Sequence, residues 1–317
     1  PAHKSTAPRD IPAGVSLAVA AILPTLFFLL LPPLSKSGLW DPFELNVADL
    51  ARRLALNLFH AGGLALAGAD NSLPHLNDLG RPELPFTSMA LGFKLFGLHE
   101  WAGRLPLALW GIVGVVATYG FVARLVDRRA GLFSAIALAT MPLFFVQART
   151  MLGDIVTMTS VAVAFGGLAV GAFDRVDGSA DGTAVTPARV AWTLFGLGGL
   201  VTGYYSRGAI LGMAVPLLSV GLAWGVTWAA GRRERDLFGD AVGALALLAG
   251  AATLYWGIDA VNKTSANLIV AAGALIKAPA RYPTYDIVIG TIGHALAPWS
   301  AFAPFALGRL LLAPVGR

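Results

Sequence analysis

The chain has 317 residues, of which 56% are hydrophobic and only 13% are charged. Soluble proteins carry about 25% charged residues, so this chain cannot cover its surface with solvated side chains and needs lipid as part of its solvent. Cysteine is absent, which excludes disulfides, thiolate nucleophiles and cysteine-ligated metals. The net charge of +5 comes without long basic runs, which favours loop arginines facing anionic lipid over a nucleic-acid partner.

The hydropathy pattern predicts an all-α integral membrane protein with about eight transmembrane helices. A span needs about 20 apolar residues to cross about 30 Å of hydrocarbon. No small-x-small cleavage site follows the first candidate, so we expect a retained span rather than a signal peptide. The candidate spans, in chain order, are 13–34, 105–123, 130–148, 155–173, 190–206, 208–230, 240–258 and 287–308.

The distribution of Lys and Arg orients these spans, because cytoplasmic loops carry an excess of both residues. With the N-terminus inside, the inside loops hold most of the arginines, and the short outside turns hold only Arg149 and Arg207. The outside connections contain nearly every residue able to do acid–base or phosphate chemistry. The sequence therefore predicts an extracytoplasmic active site, built from the outside connections 35–104, 149–154, 204–208 and 259–286.

The first outside connection, 35–104, is too long for a passive link. Residues 44–59 show a helical period, with apolar residues on one face and Arg52 and Arg53 on another. This pattern predicts a helix in the membrane interface with its arginines towards the headgroups. The stretch from Pro85 to Trp101 is mostly apolar but too short and too interrupted to span, which predicts a second interfacial helix.

Six short motifs follow one another along the chain: WDPFELNVADLARR, LGRPELPF, LFGLHEWAGRLPLALWG, ARTMLGDIV, YYSRGAILGMAVPLL and ALAPWSAFAPFAL. In this order they resemble motifs of the C-type membrane glycosyltransferases, and in particular glycosyltransferase family 39, which contains the protein O-mannosyltransferases and the lipid A aminoarabinose transferase. The resemblance implies the N-terminal portion of that fold, as a single transmembrane domain over 1–317, with further spans and a soluble domain missing. A chain that starts at Pro1 and ends just after a hydrophobic segment agrees with that expectation.

The resemblance implies an inverting transfer of a sugar from a polyprenyl-phosphate donor to a lipid, glycan or protein acceptor. The leaving group is a lipid phosphate, so the site needs fixed cations, and an acidic side chain must take the acceptor's proton. No cofactor is implied and no metal site is predicted, although a divalent metal stays open. The implied partners are the donor, the acceptor and membrane lipids, in a bacterial inner (plasma) membrane.

The family's first-loop signature is an Asp-Glu pair followed by A-x-x-A-R. Residues 48–52 match the second part, which places Glu44 at the Glu position and Phe43 where the base Asp is expected. The resemblance therefore leaves Asp41 or Glu44 as the general base, with helix capping as the structural alternative for Asp41. Asp154 matches a second acidic residue that would orient the acceptor or assist, unless it only stabilises a helix start.

Three arginines are candidates for binding the donor phosphate. Arg81 occupies the Lys of the family's G-K-P-P motif and adds a bidentate donor suited to phosphate. Arg207 stands where relatives carry Lys, and Arg149 competes for the same role. The structural alternatives are a solvated loop arginine for Arg81 and interfacial snorkelling for Arg207. Arg104 matches a further family motif, and there we expect a structural anchor.

Two other classes of function stay open at this point. A secondary transporter would place coupling residues within discontinuous spans, and the nearly uncharged spans count against that. A non-catalytic protein that binds polyprenyl lipids with the same fold is the second alternative. Phe43, in the place of the expected base, is its best support.

Overall fold

The structure is a computed structural model in which the described residues form an all-helical bundle without strands. Because several of these helices are also long and apolar enough to cross a membrane, the chain is an integral membrane protein. The described residues are 12–30, 33–36, 38–39, 43–75, 79, 82–174, 185–231, 236–263, 293, 296–302, 304–305 and 308.

The helices follow one another with short connections over most of the described chain. In chain order they are α1 (Ala13–Thr25, continued by a π-helical turn Leu26–Leu30), α2 (Phe43–Leu58), α3 (Leu84–Phe96), α4 (Glu100–Leu125), α5 (Arg128–Thr140), α6 (Pro142–Arg149), α7 (Asp154–Phe173), α8 (Pro187–Gly208, followed by a π-helical turn Ala209–Ala214), α9 (Val215–Ala229) and α10 (Leu237–Lys263). Short 3₁₀ turns occur at Gly62–Leu64 and Trp299–Phe302.

Within the described residues, five helical segments are long and apolar enough to cross a membrane, or six if α5 and α6 count as one bent span. The predicted span 130–148 is this bent pair, which turns by 63° at Met141. Pro142 causes the break, because the residue before a proline avoids the helical region and Met141 is extended. The five segments are Ala13–Leu30, Glu100–Leu125, Asp154–Phe173, Pro187–Ala229 and Leu237–Ala260.

The segment Pro187–Ala229 is 43 residues long and folds back on itself at Gly208. A straight helix of that length would be about 65 Å long, twice the hydrocarbon thickness. Gly208 has φ +76°, and a Cβ on Gly212 would lie only 2.0 Å from the carbonyl oxygen of Gly203. Two backbones nine positions apart meet in this way only if the chain reverses, which agrees with the predicted pair 190–206 and 208–230.

Half of the predicted eighth span, 287–308, lies outside the described residues, so the count of eight stays a prediction. The same holds for most of the predicted outer connection 259–286.

The centre of the bundle is α7, which packs against α4 and α8. Small residues allow the close approach of α7 and α8, as in other membrane helix pairs. A Cβ on Gly199 would lie 2.4 Å from the backbone nitrogen of Ala164, and a Cβ on Gly167 would lie equally near that of Gly196. This tight antiparallel contact fixes the end of α8 beside the start of α7.

The two helices predicted in the first outer connection are present with shifted ends. Helix α2 covers Phe43–Leu58, one residue earlier than predicted at each end. Helix α3 stops at Phe96, because Gly97 takes a left-handed φ of +82° and ends the helix. Trp101, predicted in the same helix, belongs to α4 instead.

The expectation that Arg52 and Arg53 face lipid headgroups is wrong. Arg52 is 2% exposed and donates hydrogen bonds to Asp49, to the Leu64 and Asp70 carbonyls and to the Asn71 side chain. Arg53 also contacts this loop. It donates hydrogen bonds to the carbonyl and hydroxyl oxygens of Ser72 and forms an ion pair of 2.8 Å with Asp70. Both arginines therefore hold the loop 62–72 against α2.

Candidate functional site

Four spans and α2 bring chemistry-bearing residues to one end of the bundle, which we call the site end. Helices α4 and α7 begin there, and α6 and α8 end there, because successive helices run antiparallel. The turn between α6 and α7 is the centre of this end, since Met151 in the turn contacts α2 and Asp154, the first residue of α7, contacts α8. Of the predicted site residues, the structure brings together Glu44, Arg149, Asp154 and Arg207.

Two predicted site residues, Asp41 and Arg81, lie outside the described residues. The nearest described residues that follow them are Phe43, at the start of α2, and Pro82, before α3. Their proposed roles as base and phosphate ligand stay predictions.

The Glu44 carboxylate is buried in an ion pair with Arg104, and each side chain is 1% exposed. Arg104 donates from Nε to Oε1 at 2.9 Å and from Nη2 to Oε2 at 2.8 Å, a bidentate geometry that is strong and directional. The backbone N–H of Met151 donates to the same Oε1 at 2.8 Å. Arg104 also donates to the carbonyl oxygens of Leu34 and Gly38. The pair therefore joins α2, α4 and the α6–α7 turn.

This geometry agrees with the prediction of Arg104 as a structural anchor, and it extends the anchor to Glu44. A general base must reach the proton that it takes. Both oxygens of Glu44 instead face protein donors, and the residue is closed off from solvent.

Arg149 is buried at the end of α6, where it is 8% exposed. Its Nη1 donates to the carbonyl oxygens of Phe27 at 2.7 Å and Phe28 at 3.2 Å, and its guanidinium lies 5.2 Å from the ring centre of Phe145. Carbonyls in the last turn of a helix lack intrahelical donors, and a nearby Arg can satisfy them. Arg149 therefore connects α6 to the π-helical end of α1.

Asp154 and Arg207 form a second, different ion pair at the same end. Nη1 of Arg207 lies 3.3 Å from Oδ1 of Asp154, and the side chains of Arg207 and Asp154 are 25% and 40% exposed. Asp154 is in the first turn of α7 and Arg207 in the last turn of α8, the two positions where a helix dipole favours these charges. Asp154 follows Met151 by three residues, so the two pairs are separated by at most about 11 Å of chain.

An apolar groove of about 590 Å³ lies between α3, α4, α7 and α8. Ser88, near the start of α3, and Thr202 on α8 line it, and Thr202 precedes Arg207 by five residues, or about 7.5 Å along the helix axis. Leu109 and Phe195 line it with half-exposed apolar side chains. The groove therefore lies in the membrane-spanning part of the protein, within two helical turns of Arg207 in α8.

The opposite end of the bundle carries ion pairs that connect helices. Arg124 donates to Asp174 at 2.7 Å and so joins α4 to the end of α7. Arg189, 1% exposed, donates to the Gly171 carbonyl at 2.9 Å and to Asp236, which precedes α10. In the described residues, groups of three or more His, Asp or Glu side chains that could hold a metal are absent at both ends.

Sequence reasoning missed the partner of each site residue. Glu44 and Arg104 are 60 residues apart, and Asp154 and Arg207 are 53 apart. The predicted alternation of spans places them on one side of the membrane. The contacts themselves depend on helix rotation and packing, which local periodicity does not encode.

The arrangement of the helices is the C-type membrane glycosyltransferase fold. Two crystal structures of ArnT from Cupriavidus metallidurans share it, one in the apo state and one bound to undecaprenyl phosphate. They align with 92% and 94% of this chain, with TM-scores of 0.60 and 0.59, each at 20% sequence identity. The resemblance inferred from the sequence motifs is thereby confirmed.

The chain spans about half the length of these two structures, 49% and 51%. Residues 81–170 also match the family model described as dolichyl-phosphate-mannose-protein mannosyltransferase. A comparison with curated proteins finds no match.

Proposed function

We propose that the protein transfers a sugar from a polyprenyl-phosphate carrier to an acceptor at the site end, which is extracytoplasmic in the predicted topology. The observation that carries the proposal is the half-exposed Asp154–Arg207 pair, together with an apolar groove whose lining on α8 comes within five residues of Arg207. A lipid phosphate needs both features, a cation for its headgroup and an apolar surface for its isoprenoid tail. One of the ArnT structures is bound to such a lipid, undecaprenyl phosphate.

In this proposal Arg207 binds the donor phosphate and stabilises the charge that grows on it as the sugar leaves. The acceptor oxygen attacks the anomeric carbon, the bond from that carbon to the phosphate oxygen breaks, and the phosphate keeps the electron pair. An inverting displacement places the acceptor opposite the phosphate. Asp154, the exposed carboxylate beside Arg207, orients the acceptor and takes its proton, alone or with Asp41.

Glu44 and Arg149 have positioning roles in the proposal, since neither is open to solvent. Glu44 holds the start of α2 and the α6–α7 turn against Arg104. Arg149 holds the same turn against the end of α1. Asp154 directly follows this turn as the first residue of α7, so these two contacts fix the position of the exposed carboxylate.

A second candidate is a protein that binds polyprenyl phosphate and transfers nothing. The observation in its favour is that Glu44 is sealed by Arg104, while Phe43 stands where the family pattern expects an acidic base. The donor, the acceptor and the inverting course all belong to the proposal.

Transfer of labelled sugar in proteoliposomes, from a polyprenyl-phosphate donor to lipid, glycan or peptide acceptors, distinguishes the two candidates. We expect Arg207→Gln to lower kcat/KM by about 10- to 100-fold, because a hydrogen bond between charged groups contributes about 1.5–3 kcal/mol. The matched control is Arg124→Gln, which opens an ion pair at the opposite end and should leave kcat/KM unchanged.

Two results would contradict this account. Equal losses in both variants would show that Arg207 acts only through stability. Binding of the carrier without transfer from any donor would favour the second candidate.

A further inference from the structure

We propose that Asp154 competes with the donor phosphate for Arg207, so that binding of the phosphate and release of the Asp154 carboxylate are one event. This inference rests on the proposed function and adds a coupling between donor binding by Arg207 and acceptor activation by Asp154. The carboxylate that handles the acceptor becomes available only when the donor occupies the site.

The first observation is that the contact between the two side chains is long and exposed to solvent. The contact between Asp154 and Arg207 is 3.3 Å long, beyond the usual distance of about 2.7–2.9 Å for charge-assisted hydrogen bonds. Both side chains reach solvent, at 40% and 25% exposure. Ion pairs of this kind contribute little to stability, so an incoming anion opens this one easily.

The second observation is what each partner gains from the exchange. A phosphate offers Arg207 several oxygens and the bidentate geometry that a guanidinium fits. Asp154 keeps a favourable position after release, since the first turn of α7 stabilises a negative charge. Phosphate binding therefore replaces a weak contact of Arg207 with a stronger one and leaves the released carboxylate stabilised.

The third step is geometric. In an inverting displacement, the anomeric carbon lies between the acceptor and the leaving phosphate. A gap of 3.3 Å between Asp154 and Arg207 cannot hold a sugar ring. In the proposal, Asp154 and Arg207 lie on opposite sides of the sugar, one at the acceptor and the other at the phosphate, and their contact opens in every turnover.

The other arginine pair at the site end does not share these properties. Arg104 and Glu44 are held by two bonds of 2.8 and 2.9 Å at 1% exposure, and Met151 closes the same carboxylate. A phosphate cannot reach this pair without unfolding the start of α2. Exchange is therefore specific to Asp154 and Arg207.

Competition predicts an unusual result for Asp154→Asn, namely tighter binding of a phosphate lipid. The test titrates farnesyl phosphate into the detergent-solubilised full chain and follows binding by tryptophan fluorescence. Loss of an exposed ion pair of up to about 1 kcal/mol corresponds to Kd falling by about two- to fivefold. Arg207→Gln should raise Kd.

A double variant separates competition from plain repulsion between a carboxylate and a phosphate. In the Arg207→Gln background, competition predicts that Asp154→Asn leaves Kd unchanged, since the Arg207 cation is no longer there to be released. Repulsion predicts that the same change still tightens binding. Asp174→Asn, which opens the pair at the opposite end, is the control and should not alter Kd.

Turnover of the same variants gives the second readout. We expect Asp154→Asn to lower both kcat and the KM for the donor, because it removes the acceptor's partner while freeing Arg207. Weaker farnesyl phosphate binding by Asp154→Asn, or full additivity of the two changes, overturns the competition. If the binding pattern holds but no sugar is transferred from any donor, the competition stands and the proposed transferase function falls.

Discussion

Two ion pairs at the same end of the bundle use the same chemistry in opposite ways. Glu44–Arg104 is bidentate and 1% exposed on both sides, whereas Asp154–Arg207 has a contact of 3.3 Å and is open to solvent. Both are carboxylate–arginine pairs between elements distant in the chain. Residue type and position at the site end therefore do not tell a structural ion pair from one that a substrate can reach. Burial and the geometry of the hydrogen bonds make that distinction.

The physical reason lies in the cost of desolvation. A charge removed from water must be matched by a partner and by hydrogen bonds to its remaining atoms. Arg104 meets this condition with Glu44 and two backbone carbonyls. Such a pair cannot open to admit a substrate without leaving a buried charge, whereas the exposed Asp154–Arg207 pair can.

The largest effect that the comparison predicts is on stability. Glu44→Gln leaves the buried Arg104 charge with only the Glu100 carboxylate, which is 3.9 Å away and 38% exposed, and we expect a loss of up to about 3–5 kcal/mol in the free energy of unfolding. Asp154→Asn is the matched control and should cost no more than about 1 kcal/mol. Thermal unfolding of the two variants in detergent measures the difference.

A double variant extends this test. Glu44→Gln combined with Arg104→Met removes both charges and should recover part of the lost stability. The structural role of the Glu44–Arg104 pair would be contradicted if Glu44→Gln keeps wild-type stability but loses transfer activity. Glu44 would then act on the substrate, as the family pattern allows.

A smaller effect is expected from filling the groove. Gly198 lines the groove, and a Cβ at this position meets no atom within 4 Å, so a side chain can be introduced there by Gly198→Leu. The new side chain occupies space that we assign to the isoprenoid tail. We expect the KM for a long-chain donor to rise on the order of tenfold, or about 1.4 kcal/mol, and kcat to change little.

Gly14→Leu is the matched control for this variant, since a Cβ there also meets open space and α1 does not line the groove. The effect of Gly198→Leu should shrink when the donor carries a single isoprene unit. An equal KM change for long and short carriers would place the tail elsewhere.

The smallest effect concerns a third pair, Arg53–Asp70, at the surface of the outer loop. The backbone N–H and hydroxyl of Ser72 hydrogen-bond to Asp70 and hold the pKa of that carboxyl below its usual range. A carboxyl with a lowered pKa stabilises the fold above its unfolded pKa, and this contribution is lost as pH falls through the folded value.

Asp70→Asn should therefore increase amide exchange in the loop 62–72 at neutral pH while leaving global unfolding and transfer unchanged. The difference from wild type should fade as pH falls below about 4, where an aspartate in an unfolded chain takes up its proton. A change in transfer activity would show that this loop takes part in the site.

Some elements of the fold follow directly from the sequence. The apolar pattern predicts a span over 155–173, and helix α7 is Asp154–Phe173, because a long apolar run with an acidic start leaves little choice. The bend between α5 and α6 has a local signal as well, since Pro142 follows an apolar run without an intervening loop. The prediction of one span over 130–148 does not specify this bend, because it rests on the length of the apolar run.

Other elements depend on contacts that no local pattern contains. The period of α2 puts Arg52 on its polar face, and the structure buries that face under the loop 62–72. The alternation of spans predicts Asp154 and Arg207 at one end, but not their contact. The family pattern points to Glu44 as a base candidate, and only the structure shows that Arg104 and Met151 enclose it.

The most direct test of the central claim is a structure of the full chain in lipid nanodiscs with a bound polyprenyl phosphate. We predict that the phosphate lies within hydrogen-bonding distance of the Arg207 guanidinium, that the tail follows the groove past Thr202 and Phe195, and that the contact between Asp154 and Arg207 is open. A phosphate bound at the opposite end beside Arg124, or bound while the Asp154–Arg207 contact stays intact, would contradict the account.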